Sequence, residues 1–249
     1  MNKTKRIYGW KPDLPDQRDK LYAATRRIAG TLPVRVDLRS GCSRVEHQGM
    51  IGSCTAQAIV ACAEFLEVKT KKTWVDLSRL WLYYKEREME GSINQDAGAY
   101  IRDGIKVLVK LGVPHEDLWP YVEKNWNKKP SKEADAGAKE HKITAYQRLN
   151  SLLDMKACLA DGYPFVFGFS VYDSFESDEV AKTGIVPIPK DTERVVGGHA
   201  VTAVGYDTER GCLIVRNSWG VGWGDNGHCY MPFEFVTNRN LSDDFWTIR

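Results

Sequence analysis

The sequence predicts an α+β fold in which a helical half comes first and a mostly β half follows. In the first half, apolar side chains recur at helical spacing over residues 76–90 and 97–111, and a wholly apolar segment begins directly after Ser53. In the second half, β-branched and aromatic runs predict strands. These runs cover residues 164–171, 199–206, 212–216 and 228–231.

The elements of the first half follow from local signals. Residues 32–39 alternate between apolar and polar side chains, which predicts an edge strand. Ser53 is a favourable N-cap residue, so we expect a buried helix to begin there with Cys54 in its first turn. Gly112, followed by valine and proline, is expected to end the helix predicted over 97–111.

The second half begins with a polar stretch. Residues 124–142 are rich in lysine, but acidic residues are interleaved with them, which favours a solvated surface segment over a basic binding patch. A short helix is predicted over 150–161 and ends at Gly162. The predicted strands then follow, and the last of them ends at residue 231.

Composition excludes several classes of function. A net charge of +2 over 249 residues argues against nucleic acid or an acidic membrane as partner. No apolar run has the length of a signal peptide or a membrane span. We therefore expect a monomer that is cytoplasmic by default, although export by a non-classical route stays open.

The six cysteines predict neither a disulfide framework nor a metal site. Three of them, Cys62, Cys158 and Cys212, lie in apolar patterns where cysteine is expected to be a small buried side chain. Neither a Cys-x-x-Cys pair nor a His-Glu-x-x-His motif occurs. We expect no metal ion and no organic cofactor.

The glycine-rich loop from Gln48 to Thr55 carries the first candidate for chemistry. Amide N–H groups in the first turn of a helix lack carbonyl partners and carry partial positive charge, so they stabilise a thiolate. This predicts that Cys54 is a nucleophile. Gln48, six residues earlier, offers an amide that could donate to an oxyanion.

A nucleophilic thiol needs a base, and His199 is the best candidate. A glycine pair, which includes Gly198, leads through His199 and Ala200 into a strand-like run. Asn217 follows eighteen residues after the histidine, and a neutral amide there would orient the imidazole. The remaining histidines, His47, His115, His141 and His228, are expected to be structural or solvated.

These blocks resemble the papain-like cysteine peptidases, in particular the prokaryotic members with a short N-terminal arm. The resemblance runs over about residues 33–231 and rests on three blocks in the same order, at 48–56, 198–206 and 217–227. Two departures stand out. Ile51 replaces a cysteine that the family usually has in a disulfide, and Thr55 replaces the usual aromatic, which leaves the lining of the primed side of the cleft open.

The resemblance implies a two-lobe fold, with a helical lobe, an antiparallel β-barrel-like lobe and the active site in the cleft between them. It implies a cysteine endopeptidase that attacks peptide or protein substrates through a resting thiolate–imidazolium pair and a thioester acyl-enzyme. Cys54, His199 and Asn217 would be catalytic, with Gln48 completing the oxyanion hole. The predicted substrate-binding residues are Gly52, Ser53, Gly98, Gly198, Ala200 and Trp219, the last also shielding the histidine–asparagine hydrogen bond.

The domain organisation predicted from this resemblance has two parts. Residues 1–30 form an N-terminal arm, and residues 31–249 form the peptidase domain. Within the domain, the helical lobe covers about 40–118, and the β-rich lobe covers about 119–249 together with the strand at 31–39. We expect residues 10–22 to pack along the body either as a structural strap, the favoured interpretation, or as a segment that limits access to the cleft.

Two alternative functions use the same fold. An acyl transferase or peptide ligase would require an amine to compete with water for the acyl-enzyme. A catalytically silent binding protein usually lacks the cysteine, histidine or asparagine, and all three are present here. The intact set favours the peptidase.

Overall fold

The computed structural model describes residues 6–23 and 32–249. The rest of the predicted arm, residues 1–5 and 24–30, and Thr31 of the predicted 31–39 strand lie outside the described residues. The element order confirms the α+β fold, since three long helices come before most of the sheet. None of the helices in the described ranges is long and apolar enough to cross a bilayer.

The first half contains helices α1 (Cys54–Lys71), α2 (Arg79–Met89) and α3 (Ile101–Lys110). Every residue of α1 from Cys54 to Glu67 is buried, as its apolar composition predicts. Lys72 ends this helix in the left-handed conformation at a φ of 58°. Helix α2 begins later than predicted because the Ser78 hydroxyl accepts a hydrogen bond from the Trp81 N–H and so caps it.

The prediction of one helix over 97–111 is wrong at its start. Ala99–Tyr100 forms a short strand, β3, and pairs in parallel with Trp10–Lys11, which is β1. The helical part is then limited to α3, and Gly112 follows it with a φ of 87°. The backbone groups at the start of the predicted helix therefore pair with the N-terminal segment instead of forming a helical turn.

The second half is a seven-stranded antiparallel sheet in the order β4-β9-β5-β6-β7-β8, with β2 paired to β6. In the described ranges the sheet is open, because its edge strands β4 and β8 do not pair with each other. It is therefore not a closed barrel. The strands are β2 (Arg35–Asp37), β4 (Tyr146–Arg148), β5 (Phe165–Tyr172), β6 (Val195–Asp207), β7 (Cys212–Arg216), β8 (His228–Pro232) and β9 (Ser242–Ile248).

Four shorter helices accompany the sheet, and only one of them was predicted. Leu152–Ala160 is the expected helix before Gly162, and the Ser151 hydroxyl caps it. The polar segment 124–142 also contains a six-residue helix. In chain order the helices are α4 (Lys132–Gly137), α5 (Leu152–Ala160), α6 (Asp178–Thr183) and α7 (Phe233–Thr237).

Two apolar clusters form the core, one on each side of the central strands. The first joins the three long helices to side chains such as Val166, Ala200 and Trp246. The second lies on the other side of the sheet and includes Phe167, Phe169 and Trp219. Since alternate residues of a strand face opposite sides, β5 and β6 contribute to both clusters and hold α1 against the sheet.

Candidate active site

Cys54 is the first residue of α1, and its position depends on the loop before it. The Gly52 N–H donates to Asp96 Oδ1 over 2.9 Å, which fixes the turn. Ser53 occupies the N-cap position, but its hydroxyl does not cap the helix as predicted. It forms a 2.6 Å hydrogen bond with the Tyr121 hydroxyl instead, and so ties the loop to the segment between the lobes.

His199 lies on β6, and its ring is oriented by Asn217. The His199 Nε2 and Asn217 Oδ1 atoms are 2.8 Å apart, and the same oxygen accepts the Ser218 N–H over 2.8 Å. A backbone N–H can only donate, so this atom is the amide oxygen and His199 Nε2 carries a proton. In neutral His199 the lone pair is then on Nδ1, which has no hydrogen-bond partner among the described residues.

Aromatic rings enclose the imidazole of His199. Trp219 stacks on it with ring centroids 5.0 Å apart and planes inclined by 25°. Phe169 meets it edge-on at 5.7 Å. Both His199 and Trp219 are buried, so the hydrogen bond between His199 and Asn217 is kept away from solvent.

The Gln48 side chain is held on both sides. Its Oε1 accepts the Ser218 hydroxyl over 2.7 Å, and its Nε2 donates to the Ile51 carbonyl over 3.1 Å. Its backbone N–H also donates to the Ser218 carbonyl, which brings the loop before Cys54 against the strand end after Asn217. An amide NH₂ has two donors, so the second remains for an oxyanion.

The N-terminal segment lies on the predicted substrate-binding residues. A Cβ added to Gly98 would come within 1.8 Å of the Gly9 carbonyl oxygen, and one added to Gly9 would meet the Gly52 oxygen at 1.8 Å. A Cβ added to Gly198 would come within 2.6 Å of the Trp10 carbonyl oxygen. The three glycines of the body are therefore in backbone contact with the arm.

Hydrogen bonds and ring contacts continue this contact across the predicted catalytic residues. The Ala99 N–H donates to the Gly9 carbonyl over 2.7 Å. Tyr8 lies edge-on to His199 at 6.0 Å between centroids, and the Arg6 guanidinium sits 3.6 Å from the ring centroid of Trp219. The exposed fractions of Cys54 and His199 are 0%. With the arm in this position, the Cys54 thiol is closed off from solvent.

A polar network anchors the arm beyond the cleft. Asp244 Oδ2 accepts the Trp10 indole N–H over 3.0 Å and the Asp13 backbone N–H over 2.7 Å. The Trp246 indole in turn donates to Asp13 over 2.8 Å. Burial and the neighbouring Asp244 charge raise the pKa of Asp13 to about 7, although the hydrogen bonds to its carboxylate oppose this shift.

Burial also controls the ionisation of the catalytic residues. It raises the pKa of Cys54 to about 12, against the opposing effect of backbone N–H groups of Ala200, Gly9 and Thr55. It lowers the pKa of His199 to about 4, although Asn217 favours the charged ring. In the closed cleft, thiol and neutral imidazole are therefore favoured over the expected ion pair, because both charges would be desolvated.

Several residues around the site were not identified from the sequence. Thr55, expected to influence the cleft lining, is fully buried and donates its hydroxyl to Glu86 Oε2 over 2.8 Å. Asp96 and Tyr121 position the loop, and no local motif marks either of them. All six cysteines are free, which agrees with the missing disulfide cysteine at Ile51, and Cys62, Cys158 and Cys212 are buried as predicted.

Comparisons with known proteins agree with this geometry. The family described as "Papain family cysteine protease" matches residues 32–241. Xylellain, a cysteine protease from Xylella fastidiosa, has a crystal structure that matches with a TM-score of 0.94 and 43% identity, covering 98% of this chain and 96% of that chain. An uncharacterized peptidase C1-like protein of Acanthamoeba polyphaga mimivirus is 40% identical over 272 residues, which cover 98% of this chain and 87% of the relative.

A more distant relative is cysteine proteinase 2 of Entamoeba histolytica, which is 30% identical over 211 residues. That alignment covers 81% of this chain but only 64% of the relative. Because the family match covers most of the chain and two relatives at 40% identity or more align along nearly all of it, this chain belongs to the papain family and is a cysteine peptidase.

Proposed function

We propose that the protein is a cysteine endopeptidase in which Cys54, His199 and Asn217 carry out acyl transfer from a peptide to water. The observation that carries the proposal is the hydrogen bond from His199 Nε2–H to Asn217, which leaves the Nδ1 lone pair free. The backbone N–H of the next residue, Ala200, lies close to the Cys54 thiol. A base with a defined tautomer thus lies beside a nucleophile at a helix N-terminus.

The proposed reaction proceeds in two stages. His199 Nδ1 takes the thiol proton, and the Cys54 sulfur forms a bond to the peptide carbonyl carbon. The C–N bond then breaks, the imidazolium gives its proton to the leaving amine, and a thioester remains. Water, deprotonated by His199, attacks the thioester and releases the acid and the free thiol.

The oxyanion of each stage is assigned to two donors. One is the backbone N–H of Cys54, at the first turn of α1, and the other is the Gln48 amide. Ser218 supports this role because its hydroxyl fixes the Gln48 Oε1 and so the direction of the NH₂ group. Donors held in place before the reaction stabilise the charge that develops in the transition state.

We further propose that the arm holds the enzyme latent. Gly9 and Trp10 contact the backbone of Gly52, Gly98 and Gly198, where the main chain of a substrate would bind. Departure of the arm would readmit water, and solvated charges would then allow the thiolate–imidazolium pair to form. The arm is in this proposal a reversible cover as well as a structural strap.

The proposal is tested by measuring turnover of a broad fluorogenic peptide library under reducing conditions. The chains compared are the native one, Gly9→Ala and the double variant Gly9→Ala/Cys54→Ala. A methyl group at position 9 cannot be accommodated against the Gly52 carbonyl, so Gly9→Ala is expected to displace the arm and raise turnover about tenfold or more. Cleavage by the double variant would contradict the assignment of Cys54.

The control for the arm is Leu14→Ala, since this side chain is 67% exposed and its loss leaves the arm in place. Adding an amine acceptor to the Gly9→Ala variant separates hydrolysis from ligation. Products that are mainly free acids support the peptidase, whereas mainly aminolysis products would favour the acyl transferase. No turnover by Gly9→Ala, with Cys54 reactive toward an epoxide, would favour a binding protein.

A further inference from the structure

A pair of histidines far from the cleft forms a cluster that the peptidase chemistry does not use. His115 follows α3, and His141 follows the polar segment that contains α4. Their Nε2 atoms are 3.1 Å apart, and their ring planes are perpendicular, at 89°. The exposed carboxylate of Glu140 brings a third donor, and the three donor atoms all lie within 4.8 Å of one another.

The tautomer of His141 is fixed by a carboxylate behind it. Glu67, in the C-terminal part of α1, lies 2.8 Å from His141 Nδ1 through its Oε1. A carboxylate only accepts, so Nδ1 carries the proton, and the Nε2 lone pair of neutral His141 points toward His115. Lys71 pairs with the other oxygen of Glu67 at 2.8 Å and holds that carboxylate in place.

This arrangement resembles the surroundings of protein metal ligands. A histidine that binds a metal through one nitrogen usually donates its other N–H to a carboxylate, which orients the ring and raises its basicity. Two nitrogens bound at about 2.05 Å around a tetrahedral zinc ion would be about 3.3 Å apart. The observed 3.1 Å between the Nε2 atoms is close to this separation.

The backbone places both histidines firmly. The His141 carbonyl accepts the Val113 N–H over 3.2 Å, and the His141 N–H donates to the Ala138 carbonyl over 3.3 Å. His115 forms a bridge with Leu77, and its carbonyl accepts the Leu118 N–H. The donors therefore come from segments whose positions are set without an ion.

We propose that His115, His141 and Glu140 form a binding site for a zinc-type divalent transition metal, with Glu67 as the carboxylate that orients His141. Two imidazoles, one carboxylate and a water at the solvent side make up a ligand set suited to zinc. On binding, the proton of His115 moves from Nε2 to Nδ1, so that both Nε2 lone pairs face the ion.

The site has a structural role in this proposal. It joins the segment after α3, the segment after α4 and the C-terminal part of α1. Cys54 and Glu67 are thirteen residues apart on α1, which corresponds to about 20 Å along the helix axis. The ion is too far from the thiol to act in peptide cleavage. It instead links the segment after α3 to the segment after α4, and the hydrogen bond from His141 to Glu67 extends this link to α1.

No sequence motif reveals this cluster. The two histidines are 26 residues apart, and each is preceded by residues that do not belong to a short metal-binding pattern. Glu67 comes from a helix nearly fifty residues before His115. Only the fold brings these three side chains together.

The experiment uses the tag-free full chain carrying Cys54→Ala, because a thiol beside His199 would itself bind zinc. After treatment with EDTA, the protein is dialysed against Zn²⁺, and bound metal is measured by plasma mass spectrometry alongside the melting temperature. We expect one zinc per chain and a rise in Tm of a few degrees. Co²⁺ in place of Zn²⁺ should give the visible absorption of a tetrahedral site.

Variants in the same background identify the ligands. His115→Asn should abolish zinc binding and the rise in Tm, and Glu140→Gln, at an exposed position that does not threaten folding, should weaken binding about tenfold or more. His47→Asn, which removes an exposed histidine outside the cluster, is the matched control and should bind zinc normally. Failure of the Cys54→Ala chain to bind zinc, or binding unaffected by Glu140→Gln, overturns the proposal.

Discussion

The proposed catalytic residues and the arm that covers them are held by different kinds of contact. The imidazole of His199 and the amide of Gln48 are fixed by Asn217 and Ser218, which belong to the same body of the protein. One anchor of the arm is Asp13, whose backbone N–H donates to Asp244 and whose carboxyl feels the charge of that residue. The site is therefore held by contacts within the body, whereas the arm is attached in part through Asp13, whose pKa is raised to about 7.

The largest effect expected within the body is that of the oxyanion donor. In the Gly9→Ala background, Gln48→Ala should lower kcat by about 10²–10³-fold, because the developing negative charge loses one fixed donor. The Michaelis constant should change little, since the donor acts mainly in the transition state. Unchanged kcat in steady-state peptide cleavage would remove Gln48 from the mechanism.

A smaller loss of kcat is expected from Ser218, which contacts Gln48 and not the reacting atoms. Ser218→Ala removes the hydroxyl that holds Gln48 Oε1 but leaves the NH₂ group in the site. We expect kcat to fall about fivefold, equal to about 1 kcal/mol for one hydrogen bond. The double variant Gln48→Ala/Ser218→Ala should be no slower than Gln48→Ala alone, because Ser218 acts through the glutamine. If the losses of kcat in the two single variants added up in the double variant, the proposal that Ser218 acts through Gln48 would be contradicted.

The last effect concerns the arm and pH. Asp13 has a raised pKa of about 7 when the arm is docked and an ordinary pKa near 4 when it is released, so docking takes up a proton between these values. The closed state is then most stable at acid pH and weakens as pH rises through 7. We expect Cys54 alkylation to rise more over this range in the native chain than in Asp13→Asn, which has no carboxylate to ionise.

Formation of the ion pair between Cys54 and His199 should not obscure the pH dependence that Asp13 causes. Opening converts a thiol and a neutral imidazole into a thiolate and an imidazolium, which moves a proton between Cys54 and His199 without net release. The ratio of alkylation rates for the native chain and Asp13→Asn therefore reports on Asp13. A ratio that stays constant from pH 5 to pH 8 would contradict the proposed link between arm docking and its ionisation.

The sequence predicted those parts of the molecule that depend on local pattern. The apolar run after Ser53 identified α1, helical spacing identified α2 and α3, and glycine-flanked runs identified the strands that carry His199 and precede Asn217. Short elements such as α7 and the strand β9 escaped, because five to seven residues give too little periodicity to separate helix, strand and loop. Cys54 was placed in the first turn of its helix, but the role given to the Ser53 hydroxyl was wrong.

The course of the arm could not be predicted, since it depends on pairs far apart in the chain. Asp13 and Asp244 are 231 residues apart, and the pairing of Trp10–Lys11 with Ala99–Tyr100 replaces the first turn of a predicted helix. The glycines complement one another only in three dimensions, because Gly98 leaves room for the backbone of Gly9 and Gly9 leaves room for the Gly52 carbonyl. Long-range pairings of this kind leave no periodic signal in the sequence.

The most direct test of the account is the rate at which a thiol-directed epoxide alkylates Cys54 in the native chain, Gly9→Ala and Leu14→Ala, followed by mass spectrometry at pH 7. Displacement of the arm should speed alkylation at least tenfold in Gly9→Ala, whereas Leu14→Ala should react at the native rate. Hydrogen exchange would show whether the arm is released in Gly9→Ala. If it is released and the native chain still reacts at the same rate as the variant, the claim that residues 8–11 cover a competent thiol would be contradicted.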